Sequence, residues 1–308
     1  SLRPRPITVS YRRAAWLLVL GLTAAAAVPA AAATAPAPSR LSYHLYGNAN
    51  LSMDYLSNDN TAPGQARNAV ALGSNQSYLG VFAVQPLAPR WLAVARLEGG
   101  VQGDTGHVFD TDLRDTYVGI AGPWGLFKAG HFSSPYKLAT EWMDPFRDTL
   151  GDAQAVLGNV DGTVLFSEWY SNSLAWQSPE YRRWQIDADY VVNQGSDQLP
   201  QTTQTAKRSA LSIDIHGHND YMKGGIALER RNAVSNTGGA GTEDIQAIKL
   251  YVASWIPRDK RRTLVTGVFE RADGVDVSGT GTAGRSALYF SATYHWRTLA
   301  FKAALGWL

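Results

Sequence analysis

Three groups of residues could do chemistry by type and spacing. The first is the stretch 133–160, SSPYKLATEWMDPFRDTLGDAQAVLGNV, where Glu141, Asp144, Asp148 and Asp152 stand against only Lys137 and Arg147. Carboxylates gathered on one segment can line a passage and bias which ions traverse it. The second is His131-Phe132-Ser133, a His-x-Ser spacing that could activate a serine nucleophile. That chemistry also needs an orienting third group, and no Asn follows the serine at the expected interval. The third is His216-x-His218 with Asp220; His-x-His on one strand face can bind a metal, but here the residues read as a solvated turn. Cysteine is absent, which removes thiolate metal sites and disulfides. The reading that follows expects no catalytic residue, no metal and no cofactor.

The elements around these residues read as strands. From Leu41 to Tyr55 the odd positions include Leu41, Tyr43, Leu45, Leu51 and Met53, while the even ones include Ser42, His44, Asn48, Asn50 and Asp54. A period of two over such a length means a strand with one apolar and one wet face. The pattern returns with Trp184, Ile186, Ala188 and Tyr190 against Gln185, Asp187 and Asp189, and again at 211–216, 248–253 and 288–296. Charges within strands keep to one parity, which is what lipid exposure selects: a Lys or Arg on the lipid face at mid-depth costs about 2–4 kcal/mol. The stretch 133–160 interrupts this pattern. Loops beyond about 12–15 residues are uncommon unless functional or disordered. Its Tyr136, Trp142, Met143 and Phe146 predict a loop that packs inside a barrel and narrows the pore.

Composition supports an exported membrane protein. The 10 Trp and 14 Tyr are many for 308 residues, and amphipathic rings favour membrane interfaces. Residues 11–38 place two arginines before an Ala/Leu/Val/Trp run and then small residues, the order of a secretory signal peptide with a cleavage site at Ala33. The expected organisation is a signal peptide over 1–33, with room for an upstream extension because the chain begins with Ser1, and a barrel domain over 34–308. Removing Arg3, Arg5, Arg12 and Arg13 leaves 24 basic against 26 acidic residues, so no strongly basic surface suggests nucleic acid.

Connections separate a barrel from a soluble sandwich. Short joints at 86–90, 122–123, 179–182, 217–220, 257–260 and 297–298 alternate with longer ones at 57–74, 103–112, 133–160, 194–205, 232–242 and 272–284. Short turns on one side and long loops on the other mark an outer-membrane up-and-down barrel. The fold class is therefore all-β, a transmembrane antiparallel up-and-down β-barrel of about thirteen strands. Bacterial single-chain barrels have even strand numbers, and an open edge in lipid leaves backbone groups unpaired. The expectation is a C-terminally truncated chain, or, if the count is off by one, a complete barrel of twelve or fourteen strands.

The sequence resembles the Gram-negative general diffusion porins, in particular the proteobacterial trimeric family. Leu45-Tyr46-Gly47 resembles the family's first strand, Leu97-Glu98 with Asp104-Thr105-Gly106 its third strand and loop, and Arg114 with Tyr117-Val118-Gly119 its fourth strand. Asp144-Pro145-Phe146 resembles the Asp-Pro-Phe of the third loop, and Asn172-Ser173 with Ser178-Pro179 the strand after it. The resemblance implies a sixteen-stranded homotrimer in the outer membrane, in contact with lipid and lipopolysaccharide, that passes small hydrophilic solutes and ions.

It also implies a constriction in which Glu141, Asp144 and Asp148 face wall residues Arg114 and Arg96, with His131 where an arginine is common. Asn48, Tyr78 and Trp169 stand where the family more often has basic residues or near such positions. A depleted basic wall would favour cations. In an alternative reading Arg114 and Arg96 pair with neighbours such as Asp115 or Glu98. A sugar-selective channel with Tyr46 and Tyr289 as a stacking track, a structural barrel that conducts little, and a barrel enzyme whose His131-x-Ser133 spacing resembles that of outer-membrane phospholipases are the competing functions.

Overall fold

The computed structural model describes residues 40–57, 68–149, 151–160, 163–164, 166–192, 209–235, 242–256, 262–275 and 282–307; the signal-peptide expectation lies outside them. The first half of the chain forms β1 Ser42–Asn48, β2 Leu51–Ser57, β3 Asn68–Ser74, β4 Tyr78–Ala88, β5 Trp91–Gln102, β6 His107–Leu113, β7 Thr116–Gly122 and β8 Gly125–Ser133. Helix α1 Pro135–Glu141 and the short strands β9 Asn159–Val160 and β10 Thr163–Val164 follow. The second half forms β11 Trp169–Gln177, β12 Trp184–Val191, β13 Ala210–His218, β14 Met222–Ser235, β15 Thr242–Trp255, β16 Thr263–Val275, β17 Thr282–Trp296 and β18 Leu299–Trp307.

Thirteen strands join in one antiparallel path, β1-β4-β5-β7-β8-β11-β12-β13-β14-β15-β16-β17-β18, with β6 added against β5. Neighbours in this path are also neighbours in sequence apart from the short side elements, which is the up-and-down topology the alternation predicted. Among the described residues no ladder joins β1 to β18. No helix among them is long and apolar enough to cross a membrane, so any crossing is made by strands.

Parity divides the sheet into two chemical faces. On β15, Ile245, Ala247, Lys249, Tyr251 and Ala253 are buried, while Leu250 and Val252 are exposed. On β17, Ala287, Tyr289 and Ser291 are buried while Leu288 and Phe290 are exposed. Exposed Leu, Val and Phe alternating with buried polar residues is the inverse of a soluble protein and fits a sheet bathed in lipid outside. Trp124, Tyr181, Trp184, Tyr221 and Trp296 are all exposed and all lie at or beside the short turns, forming an aromatic belt at one rim.

Two sequence expectations need correction. The stretch 41–55 is two strands, not one. The chain breaks after Asn48, and β2 leaves the main sheet to pair with β3, pinned at the bend by Asn75 N donating to Asn50 O at 2.8 Å. The long loops expected at 232–242 and 272–284 are also shorter, because β14 reaches Ser235 and β16 reaches Val275. Backbone pairing continues past the lipid, where outward charges such as Arg230 and Arg271 are no longer penalised, so side-chain parity understates strand length.

Candidate functional site

The connection between β8 and β11 is the fifth along the path, and it folds onto the inner face of the sheet. Its first turn is set by local sequence: Ser134 caps α1 by accepting from Lys137 N at 3.2 Å, and Pro135 occupies the first turn, where its missing N–H costs nothing. Tyr136, Ala139, Met143, Ala153, Leu157 and Phe166 then bury against wall residues of β14 to β17. Ala227, Ala247, Ala253, Ala272 and Ala287 supply that wall, so small inward side chains leave room for the loop's large ones. Of the four residues expected to anchor the loop, Tyr136 and Met143 are buried, Phe146 is half-buried and Trp142 is exposed.

Two buried carboxylates hold the docked loop. Glu270 accepts from Tyr136 OH at 2.8 Å and from Gly158 N at 2.6 Å, and pairs with Lys249 at 3.7 Å and Arg285 at 3.4 Å. Glu229 accepts from Ser134 Oγ at 2.9 Å and from Tyr170 OH. Lys249 Nζ, itself 1% exposed, donates to Ser167 Oγ at 2.7 Å and to Tyr136 O at 3.3 Å. These groups leave no charge without a partner, which burial requires. Gly158 has φ +72, and a Cβ there would sit 2.7 Å from Phe166 O, so the turn that aims its N–H at Glu270 requires glycine.

The opposite wall carries the arginines. Glu98, 2% exposed, receives Arg96 Nη2 at 2.5 Å and Arg114 Nε at 2.8 Å, one guanidinium on each oxygen. Arg96 also reaches Asp115 at 3.1 Å and donates through Nε to Tyr46 OH at 2.7 Å. Arg114 lies between the rings of Tyr78, 4.8 Å from its centroid, and Trp169, 5.0 Å away. Tyr46 reaches this cluster across Gly80, where a Cβ would meet its ring at 2.5 Å. The residues standing in place of further arginines thus clamp the arginine that is present, a role that single-residue comparison could not reveal because it depends on which strands meet.

On the loop side, Arg147 holds Asp148 at 3.2 Å and Glu141 at 3.7 Å, and Lys137 Nζ stands 3.4 Å from the Trp169 ring centroid. Burial pushes the Glu141 and Asp148 carboxyls above their usual range, against the opposing pull of Lys137 and Arg147 on Glu141 and of Arg147 and Arg114 on Asp148. Asp144 is raised by burial too, although Ala153 N, Phe146 N and Tyr289 OH all donate to it. Glu141, Asp144 and Asp148, with Lys137 and Arg147, line one cavity between loop and wall.

The expected site residues therefore divide. Arg96 and Arg114 are brought together, in the alternative arrangement in which Glu98 and Asp115 neutralise them. Glu141 and Asp148 share Arg147, and Asp144 braces the loop against β17. Tyr289 is buried on Asp144 and cannot serve in a stacking track with Tyr46. His131 is placed elsewhere: it pairs in register with Thr116, on the parity of exposed Val118 and Ile120, and its Nδ1 is 2.9 Å from Ser171 Oγ. Directly opposed residues share a face, so the backbone turns His131 outward, away from the pore. Gly130, at φ +150, precedes it in the irregular pairing of β8 with β11. The imidazole's hydroxyl partner is Ser171, and Ser133 donates its backbone N–H to Asp115 at 3.2 Å. His218 pairs with Glu180 at 3.1 Å in the exposed turn, whereas His216 points inward.

Comparison with known proteins decides the family. A model of the Gram-negative porins matches residues 20–307. The chain belongs to this family. The porin is similar in structure to the anion-selective porin from Comamonas acidovorans, with a TM-score of 0.68 and 15% identity over 87% of this chain and 78% of that one. It is also similar to OmpT, an outer membrane protein of Vibrio cholerae. Its loop L8 deletion mutant gives a TM-score of 0.63 at 14% identity, covering 86% of this chain and 81% of that one. Its in-vitro folded trimer form gives 0.59 at 14%, covering 87% and 78%. No curated protein matches the sequence. The porin is a channel of the outer membrane of Gram-negative bacteria, embedded in lipid and traversed by solute.

Proposed function

We propose that this porin is a general diffusion channel for small hydrophilic solutes and ions, narrowed between the docked loop and the wall around Glu98, and weakly cation-preferring at neutral pH. The observation that carries the reading is the charge arrangement at that gap. Arg96, Arg114, Lys137, Arg147 and Lys249 stand against Glu98, Asp115, Glu141, Asp144, Asp148 and Asp152, five cationic groups against six carboxylates, most of them paired. Paired charges give a weaker transverse field than opposed bare ladders, which suits broad rather than stringent selection. The anion selectivity of the Comamonas porin is that protein's own; here the carboxylate excess argues for the opposite sign.

The alternating inner face supports passage of water and ions without a dedicated ligand. A homotrimer is supported by the family resemblance and by the trimer form of Vibrio cholerae OmpT. The sequence order of residues 1–33 supports export through a cleaved signal peptide, and an outer-membrane porin would meet lipopolysaccharide in the outer leaflet.

Planar-bilayer recording in a salt gradient tests the proposal. Expected are an ohmic channel, a reversal potential of modest cationic sign, and no saturable block by sugars. Clear anion preference or sugar block would overturn it.

A further inference from the structure

Below the docked loop, the inner wall holds a second cluster that the constriction does not use. Asp187 on β12 and Asp214 on β13 are paired in register, so two carboxylates face each other directly across the ladder. Like charges in that position repel. His216, two residues along β13 and on the same face, places Nδ1 2.9 Å from Asp214 Oδ2. One ligand atom from each of the three residues lies within 4.8 Å of the other two.

Asp214 and His216 are almost fully buried, and Tyr251 OH reaches both oxygens of Asp214 at 2.9 and 3.0 Å. Gln177 hydrogen-bonds the Asp187 carboxylate, yet Asp187 Oδ1 is enclosed and has no partner. Lys223 and Lys128 are close enough to act on the pair electrostatically, but neither forms an ion pair with it. An enclosed acceptor without a donor is costly, more so when charged, and a cation shared by the three side chains removes that cost.

We propose that Asp187, Asp214 and His216 form a binding site for a divalent cation of the Zn2+ class in the inner wall. Two carboxylate oxygens and one imidazole suit such a borderline ion, with bonds of about 2.0–2.2 Å once the donors have closed in around it. Mg2+ and Ca2+ prefer all-oxygen shells and many waters, which an imidazole does not help. Asp187 also lines a small cavity shared with Phe132, Gln177 and Lys128.

Calorimetric titration of the purified, folded chain with Zn2+ tests the site. Expected is one saturable site per chain, weakened at least about tenfold in Asp187→Asn and His216→Gln and unchanged in His218→Gln. Absence of saturable binding, equal binding by the two site variants, loss in His218→Gln, or equally tight Mg2+ binding would overturn it. Should the site variants fail to fold, copper-loaded wild-type chain gives a second readout. Its electron paramagnetic resonance is expected to show hyperfine coupling to one imidazole nitrogen, and coupling to none or to two would overturn the assignment.

Discussion

Glu98 is the pivot of the arginine wall because its two oxygens take two different guanidiniums. Replacing Glu98 with Gln keeps the shape and leaves Arg96 and Arg114 with one carboxylate fewer between them. The reversal potential of Glu98→Gln is expected to move toward anions. The shift in permeability ratio should be up to about fivefold, since one unit charge at about 4 Å in a water-like medium is worth about 1 kcal/mol. An unchanged or cation-ward potential would mean that ions do not pass this wall. The loop carboxylates make a separate prediction. Because burial raises the Glu141, Asp144 and Asp148 carboxyls, they lose charge on acidification before ordinary carboxylates do. Cation preference should therefore fall between about pH 7 and about pH 4, read as a shift of reversal potential in the same salt gradient. The linkage sign follows from the same direction. A carboxyl whose folded pKa is raised contributes stability fully below its unfolded value, about 4, and loses it as pH rises through the folded value. The loop is thus expected to resist protease more strongly in acid, measured with an acid-active protease at each pH.

At the scale of elements, the loop stays docked because Glu229 and Glu270 reach it from the wall, not because α1 is a strong helix; seven residues are too few to be stable alone. Tyr136→Phe keeps the buried ring and removes one hydrogen bond to the Glu270 carboxylate, which should loosen docking by about 1.5–3 kcal/mol. The expected readouts are faster cleavage within the loop and noisier, larger single-channel steps. Gly158→Ala should act in the same direction, because the added carbon would clash with the Phe166 carbonyl. Much of this was legible in sequence. Tyr136, Trp142, Met143 and Phe146 sit among polar residues in a segment too long for a turn, so inward packing followed from their need for burial, although only Tyr136 and Met143 are buried fully. What the sequence hid was the partners. Nothing in the local pattern of Glu229 or Glu270 separates them from any other inward acid, since their role is set by strands 95 and 134 residues away from the groups they bind. The outward turn of His131 is legible by counting, since it keeps the parity of exposed Phe127 on β8 opposite that of buried Phe132; matching a family motif does not register which face a residue takes.

For the whole molecule, parity was the strongest signal because lipid outside and polar groups inside penalise each misplaced residue independently along every strand. It gave the path of thirteen strands and the position of the long loop after the fifth. It misplaced strand ends, since beyond the membrane the outer environment is water and alternation carries no cost. The same physics yields a test of the membrane assignment that does not depend on conduction. Leu250 lies near the middle of β15 and is exposed outward, while Arg230 and Arg271 lie outward toward the long-loop ends of β14 and β16. If the outer face is lipid at mid-strand and water at the ends, Leu250→Arg should lower folding stability in bilayers by about 2–4 kcal/mol, whereas Arg230→Leu and Arg271→Leu should change it by less than about 1 kcal/mol. Denaturant titration of bilayer-folded protein, followed by tryptophan fluorescence, measures all three. A small penalty at Leu250 would place that strand face in water or against protein, and the membrane boundary would then have to be redrawn along β15.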